Sequence, residues 1–233
     1  MGRFHKDTKM HEMTCTKSDG VYRHYHFSSP KNSAYWFDIV TTPYYLYMTG
    51  DMGTWVFSRI KEMLHFFNKD SLDLGYLAEK LQIGSCRSEA TAIYKEVDVK
   101  RTLEYLNNEL QQWKNDILDE EEDREKLADL KEAYKDFSRR IGELKSLIND
   151  YCISGSISEQ VYSFAIENSG FTDPSVGMIE APWDWESLYP VTRPTSGFVW
   201  VCEAIQYASK QILVKELASN AMDKFLAIGD CHE

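Results

Sequence analysis

The chain reads as an α+β protein: a small antiparallel sheet near the N-terminus, covered by helices, with a long heptad-patterned helical hairpin. Three observations predict this. Between Val21 and Ser58 the chain is rich in aromatic and β-branched residues, and over Val21–Phe27 they alternate with polar ones, the period of a half-buried strand. Gly50-Asp51-Met52-Gly53 sits between two such runs, with glycines where a hairpin needs positive φ. From Leu103 to Tyr151 apolar residues recur at spacings of three and four, the pattern of helix packed on helix.

Taken in order, residues 1–19 are polar and irregular. Val21–Phe27 places Val21, Tyr25 and Phe27 on one face and Tyr22, His24 and His26 on the other. Tyr35–Val40 is a second strand, and Tyr44–Thr49 and Thr54–Ser58 flank the glycine turn. Three or four strands in a meander cannot hide a face alone, so helices must cover it. Ile60–Phe67 carries Ile60, Met63, Leu64 and Phe67 on one helical stripe, and Leu72–Leu81 is a second short helix. Residues 84–96 read as loop. After the heptads, Gly155 stops the helix as a C′ glycine, and Ser156-Ile157-Ser158-Glu159 forms a capping box for a helix that runs to about Asn168. Residues 171–196 hold four of the six prolines and the pair Trp183 and Trp185, so they read as loop. Phe198, Val201, Cys202, Ile205, Ala208 and Ile212 form the inner stripe of a last helix reaching Ala227. The expected organisation is 1–97 (strand meander and two short helices), 98–153 (heptad hairpin) and 154–233. The helices of that last part pack back on the sheet as one unit with 1–97.

The heptad residues are Leu103, Leu106, Leu110, Trp113 and Ile117, then Leu127, Leu130, Tyr134, Phe137, Ile141, Leu144, Ile148 and Tyr151. One continuous helix of this length would span about 75 Å at 1.5 Å per residue. No Gly or Pro interrupts 118–124, which favours continuity. The polar slots Glu120 and Arg124 and the five acids Asp119 to Asp123 favour a bend, because like charges repel and a polar seam gains nothing from burial. The hairpin is the expected form, and a homodimer through the seam is the alternative use of the same pattern.

Net charge is −11, and it is uneven: +1 over 1–58, 0 over 59–93, −5 over 94–150 and −7 over 151–233. No basic footprint exists for direct binding to nucleic acid. The acidic surface serves solubility, and it also permits a fit to a basic groove on another protein. Five scattered cysteines without a CxxC pair read as a reduced, cytoplasmic pattern. The N-terminal residues lack an apolar signal core, and no apolar run approaches transmembrane length, so no membrane association is expected.

Signals for chemistry are sparse. His24-x-His26 puts two imidazoles on one strand face, and His5, His11 or Cys15 are the candidates to complete a metal site. Without a third ligand at defined spacing, the simpler reading is two exposed strand histidines. Glu62-x-x-His65 matches half of a di-iron helix motif, with no second copy. Asp38, Asp51 and Glu62 are candidate paired carboxylates. Signatures for a catalytic serine, a P-loop, a dinucleotide fold or a zinc protease are missing. The expectation is no catalytic residues and no cofactor. The acidic run reads either as a solvated turn or as mimicry of a phosphate backbone, and the aromatic loop between prolines either as a cap on the core or as an exposed partner contact; the partner contacts expected are Glu120, Glu121, Glu122 and Asp123 with Trp183, Asp184 and Trp185.

Several segments carry a resemblance. Tyr35-Trp36-Phe37-Asp38-Ile39-Val40 is followed by Tyr47-Met48-Thr49-Gly50-Asp51-Met52-Gly53-Thr54, Phe57-Ser58-Arg59 and Phe66-Phe67. Gly75-Tyr76-Leu77-Ala78-Glu79-Lys80-Leu81 and Phe198-Val199-Trp200 with Ala204-Ile205 complete the set. Together they resemble a widespread family of phage and prophage proteins of unassigned function; the heptad section does not align. The resemblance implies a phage accessory gene. By analogy with small acidic phage proteins, it implies a non-enzymatic, anti-CRISPR-like inhibitor that binds a bacterial defence complex, its acidic helices occupying a nucleic-acid-binding surface. A metal-dependent or hydrolytic enzyme centred on the strands, or a structural coiled-coil homodimer, are the alternatives.

Overall fold

The structure, a computed structural model, describes residues 2–85, 94–119, 124–152, 155–170 and 188–229. The strands are β1 (Glu12–Asp19), β2 (Tyr22–Ser29), β3 (Asn32–Thr42), β4 (Tyr45–Gly50), β5 (Gly53–Ser58), β6 (Leu81–Ser85), β7 (Lys95–Asp98), β8 (Ser156–Ile157) and β9 (Thr192–Pro194). The helices are α1 (Arg3–Asp7), α2 (Met63–Phe67), α3 (Leu74–Glu79), α4 (Val99–Asp119), α5 (Arg124–Tyr151), α6 (Glu159–Asn168) and α7 (Ser196–Gly229). They divide into two units, Met1–Tyr94 with Pro194–Glu233, and Lys95–Arg193.

The first unit is built on a six-stranded sheet in the order β1-β2-β3-β4-β5-β6. Each strand runs antiparallel to its neighbour. Alternation places Tyr25 and Phe27 of β2, Phe37 and Ile39 of β3, Leu46 and Met48 of β4, and Trp55 and Phe57 of β5 on one buried face. Phe4 of α1, three residues of α2, Leu77 of α3 and the first half of α7 close over that face. Phe27 stacks on Phe37 with centroids 4.7 Å apart, and Trp200 of α7 stands edge-on to both Phe37 and Phe4. Each such fully buried side chain contributes about 1.5–3 kcal/mol. The glycine turn behaves as expected. Gly50 has φ +153, and a Cβ there would stand 2.2 Å from the Trp36 carbonyl oxygen, so only glycine fits.

In the second unit, α4 and α5 pair antiparallel. Asn107 near the start of α4 accepts from Lys145 near the end of α5, while Trp113 further along meets Tyr134 and Phe137, nearer the start of α5. The heptad residues fill the space between them: Leu106, Ile141, Leu144 and Ile148 are fully buried. β7 runs straight into α4 and is flanked by β8 and β9 in the order β8-β7-β9. Asp98 accepts from the Arg101 amide at the start of α4, and the Asp98 amide donates to the Val191 carbonyl.

Several expectations change. The sheet has six strands rather than three or four. β1 lies in a stretch read as irregular, and β6 ends a stretch read as helix and begins one read as loop. Ser156 and Ile157 pair with Asp98 and Val97 as a short strand, so the helix cap is Ser158, whose side chain accepts from the Val161 amide. α6 buries Tyr162 and Ala165 among residues of β7, α4 and α5. Of the described helices of 154–233, α7 packs on the sheet.

Candidate functional site

The six-stranded sheet has a second face, turned away from the core, and the sequence places unusual residues on it. Register fixes two cross-strand rows. One runs Thr14, His26, Asp38, Thr49, Thr54; the other runs Lys17, His24, Val40, Tyr47, Val56, Ile83. Trp36 lies beside the first row and Tyr45 and Tyr22 beyond the second. Tyr22 and Tyr45 are exposed, Trp36 and Tyr47 half-buried, and Ile83 is 59% exposed.

His26 and Asp38 are the chemical centre of this face. Nδ1 of His26 lies 2.7 Å from Oδ1 of Asp38, and Nε2 of His24 lies 3.6 Å from the same oxygen. A carboxylate only accepts, so Asp38 holds the His26 proton on Nδ1 and leaves Nε2 as the basic nitrogen. The His26 ring packs on Trp36, with centroids 5.8 Å apart, and Tyr45 stacks on Tyr47 at 6.2 Å. Thr49 and Thr54 hydrogen-bond through their hydroxyls at 3.1 Å. An oriented imidazole is one half of an acid–base device. Among the described residues no group of three His, Cys, Asp or Glu side chains could hold a metal ion beside it.

The remaining sequence candidates scatter. His11 donates from Nε2 to the Tyr35 carbonyl at 2.9 Å and stacks on Phe37, so it is a structural residue. Cys15 pairs with Tyr25 and therefore belongs to the opposite face. His5 sits on α1 beside Phe4. Asp51 occupies the glycine turn, its amide donating to the Trp36 carbonyl at 3.1 Å. Glu62 caps α2 and binds Arg23 on the core side of the sheet, which separates it from Asp38 and removes it from a Glu-x-x-His metal motif. Glu120, Glu121, Glu122, Asp123, Trp183, Asp184 and Trp185 lie outside the described residues.

Two things escaped the sequence reading. One is the pairing of His26 with Asp38, which only the β2–β3 register reveals. The other is an ion network around Arg23, whose side chain is 6% exposed. Its Nε and Nη2 donate to the two carboxylate oxygens of Glu216 at 2.6 and 2.9 Å, and its Nη1 donates to Glu62 at 2.9 Å. Burial opposes the Arg23 charge, but the hydrogen bonds and charges of Glu216 and Glu62 outweigh it and hold the pKa above the ordinary value. The signal was present: Arg23 occupies a core-facing slot in the Tyr25–Phe27 alternation.

Charge also distributes differently from the expectation of acidic helices. α4 and α5 together carry ten basic and ten acidic residues, so the surplus acid sits in the four residues 120–123 that connect them. No described helix is long and apolar enough to cross a membrane. None of the protein-family models, curated proteins or solved structures compared with the chain matches it.

Proposed function

We propose that this protein is a non-enzymatic, phage-encoded inhibitor that binds a bacterial defence complex of the CRISPR effector class by protein–protein contact, in the host cytoplasm. The observation that carries the binding reading is the outer sheet face. Tyr22, Trp36, Tyr45 and Tyr47 lie on it with two histidines and several threonines, and with one lysine among the described residues of its cross-strand rows. Tyr and Trp are the residues that concentrate binding energy in protein interfaces. A nucleic-acid platform would need more basic charge than Lys17 supplies. The partner class rests on the resemblance of the strand motifs to phage proteins. The acidic connection 120–123 is the second contact, set against the basic groove of the target. A tagged pull-down from the bacterial host, with and without nuclease, tests this. One stoichiometric defence protein that survives nuclease supports it, and lysines at Glu120, Glu121 and Glu122 then weaken the complex. Absence of any partner removes it.

The His26–Asp38 contact favours one second reading, an enzyme or metal protein centred on the outer face. Elemental analysis of the purified protein and His26→Ala in an activity screen decide it. Stoichiometric metal, or a hydrolytic activity lost in the variant, would replace the inhibitor reading.

A further inference from the structure

The last helix does two different things along its length. From Phe198 to Ile212 it is core. From Val214 to Ala227 every residue except Glu216 is exposed. Yet the exposed half is not polar. Val214, Leu217, Ala218, Ala221, Met222 and Phe225 recur at spacings of three and four and form one apolar stripe, with Leu226 at its edge. Glu216, Asn220 and Asp223 lie on the other side, and Lys224 flanks the stripe one heptad on from Leu217. A helical stretch of this length is marginal in water unless its apolar stripe is packed. Among the described residues none covers it.

We infer that this stripe is the docking surface for a second copy of the chain, in a homodimer built on α7. Three features select that occupant. The five large side chains are 57–72% exposed and present roughly 600 Å², the lower bound per partner of a standard stable interface of about 1,200–2,000 Å². Large residues (Leu217, Met222, Phe225) and small ones (Ala218, Ala221) interleave on the same stripe, so it supplies both knobs and holes and can pack on itself about a two-fold axis. Residues 214–227 carry two lysines and two acids, so two copies meet here without the repulsion of a chain of net charge −11. The same balance argues against an anionic lipid surface, which selects helices rich in Lys and Arg. The second half of α7 continues a helix whose first half is anchored in the core, which lowers the ordering cost of association. The heptad seam is not available for this purpose, because α4 and α5 bury it within one chain.

Sedimentation equilibrium of the full chain across the micromolar range tests the inference. The wild type should weigh twice 27.1 kDa at the upper end. The double variant Leu217→Glu, Phe225→Glu should weigh 27.1 kDa throughout, with the melting temperature of the wild type at dilutions where that is monomeric, since both residues are over 70% exposed within one chain. Asp223→Ala, on the opposite side of the helix, should remain dimeric. A monomeric wild type at every concentration would overturn the inference, as would a dimer that persists in the double variant. So would a monomer whose stripe binds anionic vesicles.

Discussion

Replacing Glu216 by alanine should destabilise the sheet unit by about 2–4 kcal/mol. The figure follows from what the carboxylate does. It accepts two charge-assisted hydrogen bonds from Arg23 and a third from Ser18 at 3.1 Å. Each charge-assisted bond is worth about 1.5–3 kcal/mol, which sets an upper range near 6. Two facts reduce it. Glu216 is 22% exposed, so water re-enters when it is cut back, and Glu62 still binds Nη1 of Arg23. The guanidinium nevertheless stays in place with its Nε and Nη2 unpaired in a site where its side chain is 6% exposed. Urea unfolding followed by fluorescence and circular dichroism measures the loss. With an m-value of about 2 kcal/mol/M, the midpoint should fall by roughly 1–2 M. Arg23→Met combined with Glu216→Met should recover much of the loss, because it removes the stranded charge. A Glu216→Ala midpoint within error of the wild type would refute the reasoning, since Arg23 would then be satisfied without the network.

Four further outcomes follow from the same geometry. Gly50→Ala should cost about 3 kcal/mol or more, because the new Cβ meets backbone that cannot move aside; thermal melting reads it. Tyr44→Gly should stabilise by about 1 kcal/mol, since Tyr44 is 54% exposed and held at φ +73; chemical denaturation checks the sign. Leu144→Ala, at a fully buried seam position, should cost about 2–5 kcal/mol and expose the α4–α5 pair to hydrogen exchange. Asp136 is held below the usual carboxylate range, chiefly by its hydrogen bond from Arg139 and then by Arg140 against the opposing effect of burial. Its folded pKa is depressed, so its contribution is present above the unfolded value of about 3.9 and lost as pH falls through the lower folded value. Asp136→Asn should therefore be less stable than wild type at neutral pH, with the gap closing in that acidic window.

Much of the fold was legible because burial imposes a period. β2 to β5 each bury one face, and their alternation shows it. β1 was not legible, because an edge strand with only Met13 partly buried has no apolar period to read. β6 hid for a related reason: its outer residue Ile83 is exposed and its inner Gly84 lies against the Trp55 ring. The hairpin was legible from the acids that interrupt the seam. The home of α6 was not, since an amphipathic stripe shows that a helix packs but not on what. For the site, alternation alone put His24 and His26 on one face. Asp38 joined them only through register, and Arg23 met Glu216 only through a contact between residues 193 apart in the chain.

The outer sheet face as a partner surface is the central claim, and one comparison tests it most directly. Partner capture from the bacterial host, after nuclease treatment, is measured for the wild type and for Trp36→Asp with Tyr47→Asp. Both residues point away from the core, so the fold should survive, and circular dichroism verifies that. The claim predicts a stoichiometric defence protein with the wild type and its loss with the variant. Equal capture by both proteins, or capture by neither, would contradict it.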